Sequence, residues 1–218
     1  MLDNEKKQVL ENALLAEKEN LCYTTSGNFS MINRDSNLVA ITPTGKDRTQ
    51  LSYSDILVID LDGNILEGPQ GFVPSSEKNI HLSIYKARKD IIAVAHTHSP
   101  YACVFAALGK EIKPVLFEAN RFDFRCPISP YRQPGSQELA DSIVETLGEH
   151  GVATIMETHG ALTASRKSMK DALIKAIYLE DVARTYYRMG CLVGLDNVET
   201  MSLEEYDRMM IACGKKEY

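Results

Sequence analysis

The sequence predicts an α/β fold in which helices cover a sheet, folded as one domain over residues 1–218. Two observations carry this expectation. Short β-branched runs alternate with amphipathic helical patterns along the whole chain, and no linker, repeat or low-complexity segment divides it. With 218 residues, 44% hydrophobic and 25% charged, the chain is long enough for one sizeable core and is neither disordered nor fibrous in composition.

The elements follow in order. Leu10, Ala13, Leu14 and Leu15 recur at helical spacing, and the helix they predict breaks into the polar loop Thr24-Thr25-Ser26-Gly27-Asn28. Leu38 to Ile41 and Ile56 to Leu61 are strand-like runs, the second turning through Asp62-Gly63-Asn64 into Ile65-Leu66 as a hairpin. The Asp60-x-Asp62 pair is not a calcium loop, because an EF-hand requires glycine at its sixth position and glutamate at its twelfth. Ser75 and Ser76 are candidate caps for a helix carrying Ile80, Ile84, Tyr85 and Ala87, with Glu77 in its first turn.

Ile91 to Ala95 reads as a strand that ends in His96-Thr97-His98. The stretch from Pro114 to Pro134 reads as mostly irregular, after which Ser136 caps a helix through Leu147. Val152 to Met156 is a strand entering Thr158-His159-Gly160. Ser168-x-x-Asp171 opens a long helix expected to stop at Gly190, and Ser202-x-x-Glu205 opens a last one.

A formal net charge of −6 with interspersed signs supplies no basic face for nucleic acid. The charged start and the lack of an apolar run of about 20 residues argue against a signal peptide or membrane span and place the protein in the cytoplasm. Five scattered cysteines without a C-x-x-C pair predict neither a disulfide framework nor a zinc knuckle.

The chemistry concentrates at three histidines. Residues two apart on a strand share a face, so His96 and His98 can reach one ion. His159 stands at the end of another β run, before a glycine that lets a ligand approach the backbone. Three imidazoles leave coordination positions open, as catalytic metal sites do. The other two, His81 and His150, are expected to be solvent-exposed. Gly27-Asn28, Thr44-Gly45 and Ser75-Ser76 each combine small polar side chains with exposed backbone N–H groups, a pattern suited to a phosphate.

G-N-F-S from Gly27, T-P-T-G from Thr42, P-S-S-E from Pro74, H-T-H from His96 and T-H-G from Thr158 occur in the order found in the class II aldolase/adducin family, which the chain resembles over nearly its whole length. The resemblance implies a central, mainly antiparallel sheet between helix layers, assembled as a homotetramer with active sites between subunits. It implies a zinc ion, or manganese or cobalt, held by His96, His98 and His159. Glu77 would be acid/base and a labile fourth ligand, while Gly27, Asn28, Thr44, Gly45, Ser75 and Ser76 would hold the phosphate. The implied activity is retro-aldol cleavage of a small (deoxy)ketose 1-phosphate, such as that of L-fuculose or 5-deoxyribulose, through a metal-stabilised enediolate to dihydroxyacetone phosphate and an aldehyde. The alternatives within the resemblance are an L-ribulose-5-phosphate 4-epimerase activity and a non-catalytic adducin-like module.

The chain departs from the aldolase branch at two places. Phe117-Glu118 stands where that branch has a proton-transfer tyrosine, and Cys213-Gly214 stands near where it has a second. Glu118 is therefore a candidate catalytic base.

Overall fold

The computed structural model describes residues 1–214. Helix α1 (Asp3–Lys18) is followed by strands β1 (Asn28–Asn33), β2 (Leu38–Ile41), β3 (Leu57–Ile59) and β4 (Ile65–Glu67). Helix α2 (Lys78–Ala87), strand β5 (Ala93–Thr97) and helix α3 (Pro100–Leu108) come next. Strand β6 (Ile128–Ser129), helix α4 (Gln137–Leu147), strands β7 (Ala153–Met156) and β8 (Gly160–Ser165), and helices α5 (Met169–Val193) and α6 (Leu203–Ala212) complete the order.

Among the described residues the strands form one eight-stranded sheet in the order β4-β3-β2-β1-β5-β8-β7-β6. Every pairing is antiparallel except β6 with β7. Alternation along each strand sends side chains to two cores. Ala93 and Ala95 of β5 and Phe29 and Met31 of β1 pack with Val9, Ala13, Leu173 and Ala176 of α1 and α5. Val94 of β5 and Ile32 of β1 face the opposite layer, where Ile80 and Ile84 of α2 and Leu139 and Ile143 of α4 cover them. The sheet is thus sandwiched, as expected. Among the described residues no helix is long and apolar enough to cross a membrane.

The hairpin through Asp62-Gly63-Asn64 and the caps of α4 and α6 form as the sequence predicts. Ser136 Oγ accepts from the Leu139 N–H at 3.1 Å. Ser202 and Glu205 exchange both bonds of a capping box. At α5, Ser168 Oγ accepts from the Asp171 N–H at 3.1 Å, but the Asp171 carboxylate turns away to Ser165 and Lys175.

Three expectations are corrected. Helix α5 does not stop at Gly190 but runs to Val193 and ends at Gly194, whose φ of +85° suits glycine. Gly190 instead lets Leu195 fold back against the helix: a Cβ there would lie 2.8 Å from Leu195 Cδ1. Ser75 and Ser76 do not cap α2, because Glu77 itself is the N-cap residue and Ser75 Oγ accepts from the Glu77 N–H at 3.2 Å rather than from Asn79 or Ile80 inside the first turn. His81 is not exposed; it is fully buried beneath α2. His150 is exposed as expected, its side chain 92% accessible.

The sandwich rests on close packing of α5 against the sheet. Replacing Leu173, 1% exposed, by alanine should cost about 2–5 kcal/mol by urea unfolding, whereas Leu192→Ala at a side chain 85% exposed should stay within about 0.5 kcal/mol of the wild type. Equal effects would contradict the placement of α5.

Candidate functional site

Strands β5 and β8 pair with Thr97 opposite Ala161 and His96 opposite Leu162, so the residues just beyond the pairing, His98 and His159, stand side by side. On the other flank β1 sets Asn28 opposite His96. The start of α2 closes the site from above the sheet with Glu77. The ligand atoms of His96, His98 and His159 lie within 4.8 Å of one another.

Two glycines make room for this convergence. A Cβ on Gly160 would lie 2.6 Å from the Thr97 carbonyl and 3.1 Å from His96 Cε1. A Cβ on Gly27, at φ +76°, would lie 2.8 Å from the His96 carbonyl. Thr158 takes a left-handed conformation at φ +57°, which closes the short β7–β8 turn and swings His159 toward the centre.

The polar contacts define what the centre lacks. His96 Nδ1 donates to the Ala161 carbonyl at 2.9 Å, so on the neutral ring Nε2 carries a lone pair. That nitrogen lies 3.0 Å from His98 Nε2 and 3.2 Å from Glu77 Oε2. His159 Nε2 lies 3.2 Å from Glu77 Oε1, an oxygen buried without a hydrogen-bond partner. Donors crowded this closely repel unless a proton, as between His96 and Glu77, or a metal cation lies between them. Nitrogens around a tetrahedral divalent ion stand about 3.4 Å apart, close to the 3.0 Å between His96 and His98, so the three imidazoles could hold such an ion, with Glu77 beside it.

Burial lowers the basicity of His98 and His159, and the neighbouring His96 lowers it further, to about 3 and about 4. Both rings are therefore neutral and ready to ligate at ordinary pH. Burial pushes the Glu77 carboxyl up, but His96 and His159 outweigh it and hold the group well below the usual carboxylate range. Burial opposes charge on His96, and the Glu77 carboxylate overcomes that opposition and raises it.

The three glycine- and serine-bearing loops meet beside Glu77. Thr42 Oγ1 accepts from the Phe29 N–H at 3.1 Å, and the Thr42 carbonyl accepts from the Ser75 N–H at 3.1 Å. Thr44 N–H donates to the Val73 carbonyl at 3.0 Å, next to the bridge between Pro43 and Pro74. Arg48, 5% exposed, donates to the Ser26 carbonyl at 2.5 Å and braces the loop that carries Gly27 and Asn28. Asn28 Nδ2 donates to Glu77 Oε2 at 2.9 Å, leaving a second N–H on the same nitrogen. Gly45 and Ser76 lie on the exposed rim.

Glu118 makes no direct contact of this kind with the cluster among the described residues. It begins a short 3₁₀ turn, Phe117–Phe122, and is half-buried. Among the described residues no hydrogen bond or ion pair joins it to Glu77 or to the three imidazoles. Cys213 and Gly214 close α6. The cysteines are free thiols, and burial raises Cys22, and Cys103 to about 11, so neither is a ready nucleophile.

The sequence reading assigns no site role to His81, Ser30, Thr42 or Arg48. His81 had a readable signal: four residues after Glu77, it lies on the same face of α2.

Over residues 7–187 the chain matches the family described as Class II Aldolase and Adducin N-terminal domain. It is 40% identical over 168 residues to the L-fuculose phosphate aldolase of Methanococcus maripaludis, spanning 77% of this chain and 88% of that one. It is 35% identical over 190 residues to the 5-deoxy-D-ribulose 1-phosphate aldolase of Bacillus thuringiensis, spanning 86% of each. A solved structure of L-fuculose 1-phosphate aldolase matches with a TM-score of 0.86 at 29% identity, over 97% of this chain and 96% of that one. These relatives support a lyase.

Two outcomes follow from the geometry. His96→Ala or His159→Ala should abolish stoichiometric divalent metal while circular dichroism stays native, since each would be a ligand but is little of the core; full metal content in either variant would refute the centre. His81 titrates near 6.5 when unfolded but is lowered by burial to about 3 when folded. Above pH 6.5 both states are neutral there; below it only the unfolded state takes the proton, so stability falls with pH by about 1.4 kcal/mol per unit toward pH 3. Between pH 6.5 and 4.5, His81→Gln should therefore lose less stability than the wild type in denaturant titrations.

Proposed function

We propose, for a chain that belongs to the class II aldolase and adducin family, that it is a metal-dependent aldolase acting on a small (deoxy)ketose 1-phosphate. The substrate is L-fuculose 1-phosphate or a relative such as 5-deoxyribulose 1-phosphate, and the products are dihydroxyacetone phosphate and a short aldehyde. The observation that carries this reading is Glu77, whose unpartnered Oε1 and hydrogen-bonded Oε2 stand 3.2 Å from His159 and His96 respectively. A carboxylate so placed can move a proton at a carbon held over the metal centre.

Cleavage breaks the bond between the third and fourth carbons of the ketose. The electron pair stays with the third carbon, next to the carbonyl, and the fourth-carbon hydroxyl loses its proton as the aldehyde forms. A bound dication, zinc or else manganese or cobalt, would supply Lewis-acid stabilisation for the charge on the substrate oxygens. Glu77 delivers the proton that the third carbon then needs, and removes it in the condensation direction. Gly27, Asn28, Thr44, Gly45, Ser75 and Ser76 hold the phosphate through backbone N–H groups, hydroxyls and the second Asn28 N–H. Glu118 takes the proton from the fourth-carbon hydroxyl. The working unit is a cytoplasmic homotetramer with active sites between subunits, which light scattering tests; exposed Leu192 and Val193 at the end of α5 are apolar surface available for such contacts.

A screen of dihydroxyacetone phosphate against small aldehydes should yield a ketose 1-phosphate. Interconversion of a ketose 5-phosphate with its epimer, without free fragments, would assign the 4-epimerase activity instead. Glu77→Gln should keep most of its metal yet lose exchange of the dihydroxyacetone phosphate methylene proton with deuterated water by about 10²–10⁴-fold. Glu118→Gln should slow cleavage and condensation but leave that exchange intact; wild-type rates in all three assays would remove Glu118 from the mechanism.

A further inference from the structure

We infer that His81 is a positioning residue, which locks the Asn28 amide in one orientation and through it fixes one oxygen of Glu77. The functional consequence rests on the reading of Glu77 above; the hydrogen-bond assignment does not.

The residues form a buried chain under α2. His81 Nε2 lies 2.5 Å from Asn28 Oδ1, and His81 Nδ1 lies 2.6 Å from Ser30 Oγ. The Tyr85 hydroxyl lies 2.7 Å from Ser30 Oγ and 2.9 Å from the Ser30 carbonyl, and its one proton is shared between these two acceptors. At the other end Asn28 Nδ2 donates to Glu77 Oε2 at 2.9 Å. Ser30, His81 and Tyr85 are fully buried, and Asn28 is 5% exposed. Asn28 and Ser30 are two apart on β1 and so share a face, while Glu77, His81 and Tyr85 recur every fourth residue along α2.

Polarity permits one arrangement. An ionised carboxylate only accepts, so Asn28 must present its NH₂ to Glu77 and its oxygen to His81. His81 Nε2 must then carry the proton. A neutral imidazole has one N–H, which leaves Nδ1 as an acceptor and makes Ser30 the donor to it. Burial keeps the ring neutral, its pKa lowered to about 3. A flipped Asn28 would set its carbonyl against the Glu77 carboxylate. The chain therefore holds Oε2 and leaves Oε1, which has no hydrogen-bond partner, as the oxygen able to move a proton.

A two-bond ¹H–¹⁵N spectrum of the zinc-loaded protein at neutral pH reads the tautomer directly. The Nε2–H form of His81 is expected, and an Nδ1–H form or a charged ring overturns the assignment. Deuterium exchange into dihydroxyacetone phosphate reads the consequence. His81→Leu should lower the exchange kcat by about 10- to 100-fold while bound zinc stays stoichiometric and KM shifts less than about twofold. His81→Gln, whose amide N–H can still reach Asn28 Oδ1, should recover part of the loss. In an Asn28→Ala background His81→Leu should cost little more, because both remove the same link. Additive losses, loss of zinc, or no rescue by glutamine would overturn the positioning role. If wild-type exchange is absent, the aldolase reading fails, while the tautomer spectrum still decides the hydrogen-bond chain.

Discussion

The structure is organised around a local convergence: three imidazoles and a carboxylate meet at one point, with the buried Arg48 close enough for its charge to act on His98. His96 Nε2 faces His98 Nε2 at 3.0 Å, and Glu77 approaches both His96 and His159 at 3.2 Å. Such crowding persists only when rigid elements enforce it. Here the enforcement comes from the β5–β8 register, from glycine at positions 27 and 160 where a Cβ would strike the backbone of β5, and from the left-handed turn at Thr158. The same convergence is what would let the three imidazoles hold a metal ion.

The layer beneath the centre makes that arrangement specific. The polar chain from Tyr85 to Glu77 replaces what an apolar helix–sheet contact would otherwise place there, between Ile80 and Ile84 of α2 and the inner face of β1. Fully satisfied polar chains fix a unique geometry at the risk of a large penalty if one member is lost. Glu180 plays a comparable structural part on the other side of the site. From α5 it accepts from the Tyr101 and Ala102 N–H groups at the start of α3, both at 2.9 Å, anchoring the helix that follows His98.

The convergence of His96, His98 and His159 was legible because the three stand at strand ends and beside a glycine. The hairpin through Gly63 and the caps at Ser136 and Ser202 were legible because local hydrogen bonds decide them. Strand β1 was not, since its inward residues Asn28 and Ser30 are polar and break the usual alternation. Strand β8, Gly-Ala-Leu-Thr-Ala-Ser, lacks β-branched bulk and is a strand because β5 and β7 pair with it on both sides. Helix α3 is apolar nearly all round, so it shows no helical period, although Pro100 in its first turn is a proper start signal. His81 was misjudged because burial of a histidine depends on partners from another element, which no local pattern reveals.

The pairing of β5 with β8 also sets an order in time. His96 donates to the Ala161 carbonyl across 65 residues of chain, and that bond fixes which nitrogen it offers to a metal. During synthesis, therefore, the H-T-H pair emerges well before its third partner, and two imidazoles on an unpaired strand hold an ion poorly. The complete centre arises only once the β7–β8 hairpin has been made and has docked, a late, long-range event of the kind that slows folding. A metal bound by all three imidazoles would in this sense report on the finished sheet.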